Sequence, residues 1–264
     1  MVTEQQKILN LLAEDNNLGL DLDIQIFETL TSTNDKLAQL IAEENAPPGT
    51  VVIAKSQTAG QGQRGRKWVS GRGGLYLSMV IAPDLPAMNV HQLTIGIAWG
   101  IAHQLRQQGI CVSIKWPNDL ILADRKLGGI LTQTRISQGR IQKAIVGVGI
   151  NYANSVESPA INLAPSNDRQ PNYANFPMEM LTSCTIRGII SGYKRCTPAT
   201  IDSLLSDYLE LLTARGRSVI VDGRLGTVLG VSPQGELHIG FTTASGITQT
   251  YLTPGTFTLG YENL

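Results

Sequence analysis

The chain has 264 residues, 42% of them hydrophobic, which is enough apolar material for a sizeable core. Its 21 basic and 21 acidic side chains cancel, which excludes a global basic field for holding nucleic acid and leaves charged residues to act locally. Three cysteines (Cys111, Cys184, Cys196), odd in number and without a C-x-x-C pair, fit a reducing compartment better than a disulfide framework, and three scattered histidines without metal-ligand spacing predict no structural zinc.

Residues 4–14 carry Ile8, Leu9, Leu11 and Leu12 on a helical stripe. It is too short for a DNA-reading winged helix, so no nucleic-acid partner is expected. No basic, apolar leader precedes it and no apolar run is of bilayer length, so a cytoplasmic protein without a membrane partner is expected. DIQIFETL alternates like a strand and runs into Ser32, Thr33 and Asn34. These small polar residues serve as a helix N-cap in one reading and face a ligand in another; NDKLAQLIAEEN then continues as a helix that Pro47, Pro48 and Gly49 end.

The strand TVVIAKSQ leads into QTAGQGQRGRKW, residues 57–68, where Gly60, Gly62 and Gly65 alternate with Gln61, Gln63, Arg64 and Arg66 ahead of Trp68. Glycines let backbone N–H groups approach an anion and guanidinium groups fork onto phosphoryl oxygens, so the composition suits a phosphate cradle; a solvated Gly-rich loop is the plainer reading. The spacing satisfies G-x-G-x-x-G, but the strand-like LYLSMVIA follows instead of a helix, which disfavours a dinucleotide fold.

A helix is expected from Val90 to Gln108, stopped by Gly109. In CVSIKWPNDLIL, Lys115 falls at a strand's end on the face opposite the main apolar side, and Pro117, Asn118 and Asp119 signal a turn. Hairpins turn at 123–125 and at SQGR, and KAIVGVGIN carries the sheet through Gly147 and Gly149 to Asn151. A loop is expected over 152–170 and helices over 177–192 and 198–214. From Gly216, RSVIVDG, LGTVLGVS, GELHIGF, GITQTYL and TFTLG read as five short strands of SH3-like size. The expected division is 1–215, with 1–23 as a short extension, and 216–264.

In order and spacing, STN at 32–34, QTAGQGQRGRKW, KWPNDL at 115–120, LGGIL at 127–131 and VGVGIN at 146–151 resemble the catalytic domain of the biotin protein ligase family, of the type lacking an N-terminal DNA-binding domain. The resemblance implies an α+β fold: a mixed sheet with helices like that of class II aminoacyl-tRNA synthetases, plus a small C-terminal SH3-like β-barrel. It implies that biotin and ATP give biotinyl-5′-AMP and pyrophosphate, and that a lysine on the biotin carboxyl carrier domain of acetyl-CoA carboxylase then takes the biotin. Mg²⁺ is implied as a passenger on the ATP phosphates, with no protein-held metal, and a homodimer is left open.

By the same resemblance, Lys115 stabilises charge at the α-phosphate, with Arg64 and Arg66 on phosphate oxygens. Ser32, Thr33, Asn34, Gln57, Gly60, Gln61, Gly62, Gln63, Lys115, Gly129, Ile130, Leu131 and Gly147 hold biotin. Arg64, Gly65, Arg66, Trp68, Asn118 and Asn151 border the nucleotide. Asp119 is a candidate for deprotonating the acceptor lysine. Lys115→Ala is expected to stop adenylation and spare the fold. Two alternatives remain: a lipoate or octanoyl ligase of the same fold, and a non-catalytic biotin-binding module. Gln61 and Gln63 depart from the family, which usually has arginine there, so a leakier intermediate is expected.

Overall fold

The computed structural model describes residues 2–13, 18–164, 173, 175–244 and 246–261. Its frame is a mixed sheet in the order β1 (Asp23–Phe27), β2 (Thr50–Ala54), β3 (Leu75–Ile81), β8 (Arg140–Ile150), β7 (Arg125–Ser137), β6 (Asp119–Leu122) and β5 (Ser113–Lys115), with the two-residue β4 (Leu85–Pro86) pairing to β8. Only the β1–β2 pair is parallel; the pairs from β2 to β5 are antiparallel. The hairpin between β6 and β7 turns on two residues, Ala123 and Asp124, both with positive φ (47° and 57°), the geometry whose twist matches the flanking strands.

Alternation along the strands divides the sheet between two unequal covers. Leu75, Leu77, Met79 and Ile81 of β3 and Ala144, Val146, Val148 and Ile150 of β8 face the large core. That face is roofed by α1 (Glu4–Ala13), α3 (Val90–Gln107), α4 (Met178–Lys194) and α5 (Ile201–Leu211). The other face carries a smaller cluster, where Leu37, Leu40 and Ile41 of α2 (Thr33–Glu44) cover Val52, Val80 and Ile145. One short helix cannot cover so wide a sheet. The strip of β7 and β8 beyond it carries Gly129, Gly147 and Gly149.

The tail forms a four-stranded antiparallel sheet: β9 (Ser218–Val221), β10 (Arg224–Val231), β11 (Leu237–Thr243) and β12 (Gly246–Leu252), in the order β12-β11-β10-β9. The small C-terminal β unit is therefore present with four strands. The fifth expected run, TFTLG, makes only an isolated bridge between Pro254 and Phe257, because this stretch turns inward toward the main sheet instead of pairing along an edge. The tail's buried Val219, Val228, Leu237, Ile239 and Leu259 join the large core directly. Trp116 Nε1 also donates to the Gly235 carbonyl at 2.9 Å.

The expected helices are present with shifted ends. Helix α5 starts at Ile201 instead of 198, because residues 197–200 are taken up by a threonine turn in which Thr200 Oγ1 donates to the Arg195 carbonyl. Residues 152–164 form no helix or strand; the rest of that expected loop, 165–170, lies outside the described residues. No helix among the described residues is long and apolar enough to cross a membrane.

Candidate active site

The pocket lies on the α2 face and has two chemically different ends. One end is built where β1 gives way to α2. Ser32 caps the helix by accepting from the Asp35 N–H at 3.4 Å, so its N-cap role and its place on the pocket wall coincide. The Thr33 N–H donates to Gln57 Oε1 at 2.7 Å, and Gln57 Nε2 donates to Ser70 Oγ at 2.8 Å. Below them Ser78 donates to Asn34 Oδ1 at 2.6 Å, and Asn34 Nδ2 donates to Gln133 Oε1 at 3.1 Å. Ser32, Thr33 and Asn34 are all buried. Such a fully bonded polar network gives a neutral cradle of fixed orientation.

The middle of the pocket is the glycine strip. A Cβ on Gly147 would stand 2.2 Å from Asn34 Oδ1, and one on Gly149 would stand 2.4 Å from Trp68 Nε1. Only glycine lets α2 and the Trp68 indole approach β8 this closely. Gly129, Ile130 and Leu131 of β7 form the facing wall, fixed when Asn118 Nδ2 donates to the Ile130 carbonyl at 2.8 Å. Trp68 Nε1 is buried without a hydrogen-bond partner, a donor that a ligand lying along the strip can satisfy.

The other end is cationic, and the KWPND run explains why. The β5–β6 hairpin pairs Lys115 directly with Asp119, which puts both side chains on the pocket face. Asp119 Oδ1 lies 2.7 Å from Lys126 Nζ, and its Oδ2 lies 3.7 Å from Lys115 Nζ and accepts from the Tyr261 hydroxyl at 2.6 Å. Lys115 Nζ also sits 4.2 Å above the Tyr261 ring, and Lys126 Nζ is 5.3 Å from the Trp68 ring. Burial pushes the Lys115 pKa below the usual lysine range, and the Asp119 charge opposes that shift. Arg64, Arg66 and Lys67 from the glycine loop face the same end. Arg64 has a positive φ of 57° and reaches Thr258 Oγ1 at 3.3 Å.

Most of the residues chosen from the sequence therefore converge: Ser32, Thr33, Asn34, Gln57, Gln61, Gly62, Gln63, Arg64, Arg66, Trp68, Lys115, Asn118, Gly129, Ile130, Leu131 and Gly147 all line the pocket. Gly60, Gly65 and Asn151 do not. The Gly60 carbonyl accepts from the Trp68 N–H within the loop, Gly65 is exposed, and Asn151 is buried, accepting from Asn154 Nδ2 at 3.0 Å. Lys115 lies opposite the main apolar side as expected, yet it is only 4% exposed. Truncation to alanine would remove a buried side chain and one of Asp119's partners, against the premise that this lysine contributes little packing. Asp119 is engaged at both oxygens, by Lys126, by Lys115 and by the Tyr261 hydroxyl.

Sequence reasoning missed Lys126, Lys67, Phe257, Thr258 and Tyr261. No residue pattern marks Lys126, whose approach to Asp119 depends on the irregular β6–β7 register, and nothing local marks Tyr261. The donor set fits a polyanion: five cations line the pocket against one carboxylate that is already paired, and no group of three or more metal-ligating side chains occurs among the described residues.

Residues 26–151 match the biotin/lipoate A/B protein ligase family. The bifunctional ligase/repressor BirA of Bacillus subtilis is 33% identical over 182 residues, which is 68% of this chain and 51% of the relative. A biotin–acetyl-CoA-carboxylase ligase of Paracoccus denitrificans is 34% identical over 120 residues, 42% of this chain and 47% of that one. The chain thus spans about half the length of the curated relatives it matches. Among solved structures, the biotin protein ligase of Aquifex aeolicus in complex with biotin and ATP superposes with a TM-score of 0.68 at 24% identity, covering 86% of this chain and 95% of that one. At that identity the likeness establishes the shared fold.

Proposed function

Residues 26–151 form a domain of the biotin/lipoate A/B protein ligase family, and on that premise we propose that the chain is an ATP-dependent biotin protein ligase. Biotin's carboxylate oxygen attacks the α-phosphorus of ATP, which enters as its magnesium complex; the bond to the bridging oxygen breaks and pyrophosphate leaves. An acceptor lysine on a biotin carboxyl carrier domain then attacks the biotinyl-AMP carbonyl through its amine nitrogen. AMP leaves, and the nitrogen loses its proton as the amide forms.

The observation that carries this reading is the two-ended pocket: a buried neutral cradle joined by a glycine strip to the Lys115–Asp119–Lys126 cluster. Biotin's ureido ring offers two N–H donors and a carbonyl acceptor, which suits a cradle of hydroxyls and amides. The dithiolane of lipoate offers no comparable hydrogen bonds to such a cradle, which argues against a lipoate ligase. Two anions must meet for adenylation, so the chemistry needs cations more than a nucleophile. Lys115, Lys126 and the loop arginines are the groups we assign to that task.

Adenylate formation can be assayed by ATP–pyrophosphate exchange with biotin or lipoate as acid, with biotinyl-AMP identified by mass spectrometry. Biotin-dependent exchange and the adenylate are the expected result. Exchange driven by lipoate alone would favour the other ligase class, and biotin binding without adenylate would leave only a binding module. We further propose a cytoplasmic location and a division near residue 215, with the two parts sharing one core.

A further inference from the structure

The cationic end of the pocket is not completed by the family domain. Its last piece comes from the chain beyond the C-terminal sheet, where Tyr261 makes two contacts at once: its hydroxyl donates to Asp119 Oδ2 at 2.6 Å and its ring lies 4.2 Å beneath Lys115 Nζ. Neighbouring tail residues reinforce the approach, since Phe257 and Thr258 line the pocket and Thr258 receives Arg64. Burial and the Asp119 charge raise the Tyr261 pKa, so the phenol keeps its proton and remains a donor.

We infer that Tyr261 is a positioning residue for adenylation: it fixes the Asp119 carboxylate and the Lys115 ammonium in the geometry that receives the α-phosphate. This rests on the ligase reading above. The physical case is one of orientation. Asp119 Oδ1 is held by Lys126 at 2.7 Å, whereas the Lys115 contact at Oδ2 is long, 3.7 Å. Without the phenol, Oδ2 is free to rotate onto Lys115 and close that gap. A tightly paired lysine is a poorer partner for a phosphate oxygen, because the ion pair must be broken before the ammonium can turn to the substrate. The tyrosine holds the two apart, so that Lys115 stays near a carboxylate but is not consumed by it. Its ring supplies an electron-rich face that accepts the ammonium without competing for hydrogen bonds.

The test is Tyr261→Phe, which keeps the ring and removes the hydroxyl, measured by single-turnover biotinyl-AMP formation alongside biotin affinity. The expected result is an adenylation rate about tenfold lower, the order of one hydrogen bond to a charged group, with biotin Kd and thermal midpoint near wild type. Transfer from supplied biotinyl-AMP to the acceptor should be unchanged, because that step needs no attack on phosphorus. In a double-mutant cycle, Tyr261→Phe should cost little further in an Asp119→Asn background. A general fall in biotin affinity, thermal midpoint and both half-reactions would mean the residue is merely structural, and wild-type adenylation in Tyr261→Phe would overturn the inference outright. Absence of biotinyl-AMP in the wild type would instead sink the ligase reading itself.

Discussion

Replacing Asp119 with asparagine tests how the cationic end is held together. The side chain keeps its shape and loses one charge that faces Lys126 at 2.7 Å and Lys115 at 3.7 Å. Asparagine can keep its carbonyl oxygen toward Lys126 and present its amide to Tyr261, whose hydroxyl then turns to accept. Two hydrogen bonds survive, but the charge compensation of a buried pair does not. Unpairing a buried charge costs about 3–5 kcal/mol, and the surviving bonds argue for the lower end, about 3 kcal/mol, in urea unfolding at neutral pH. The pH dependence has a fixed sign. Asp119 raises the Lys115 pKa against burial and against the repulsion of Lys126, so removing it lowers that pKa further. The alkaline limb of kcat/KM for ATP, where free Lys115 loses its proton, therefore moves to lower pH. Above the lowered folded pKa the unfolded chain binds the extra proton, so the variant's stability recovers as pH rises toward the usual lysine range. An unmoved alkaline limb together with wild-type stability would refute the reasoning.

Lys115→Met fills the buried site without a charge and should lower adenylation by about 10²–10³, as loss of one positioned donor does; biotin binding, set at the other end, should persist in calorimetry. Gly147→Ala places a methyl 2.2 Å from Asn34 Oδ1 and should weaken biotin at least about tenfold by displacing the start of α2, with a wild-type Kd counting against the close-packing argument. Gln63→Arg adds a cation to the pocket wall, whereas Gln61 is already committed to Asp35 through two contacts of 2.8 and 2.9 Å. Stopped-flow release of biotinyl-AMP should slow about tenfold in Gln63→Arg if the adenylate phosphate is short of one charged hydrogen bond, and equal rates would mean Arg64 already fills that place.

What was legible in the sequence follows contact distance along the chain. The polar cap at 32–34, the strand alternation and the hairpins are local, and the structure keeps them, with the first turn tightened from 123–125 to Ala123 and Asp124. KWPND was readable as a strand end and a turn, whereas the pairing of Lys115 with Asp119 across that turn emerged only in the structure. Lys126 looked like an ordinary hairpin lysine. Its route to Asp119 depends on the irregular β6–β7 register between Leu120 and Ile121, which no residue pattern announces. TFTLG has strand composition but makes only an isolated bridge, and its Phe257 and Thr258 line the pocket, so tertiary contact overrode propensity. Burial of Lys115 was hidden because the residues that cover it come from elsewhere in the sequence.

The 142 residues separating Asp119 from Tyr261 also set an order of events during synthesis. At about 5–20 residues per second, Asp119 and its two lysines are made roughly 7–30 s before the phenol that holds them. From residue 149 onward a nascent chain has Ser32, Thr33, Gln57 and the glycine strip, yet its lysine pair lacks the aromatic underside. A ribosome-stalled chain ending before residue 257 is therefore expected to dock the neutral ring of its acid well before it can bring a nucleotide to reaction.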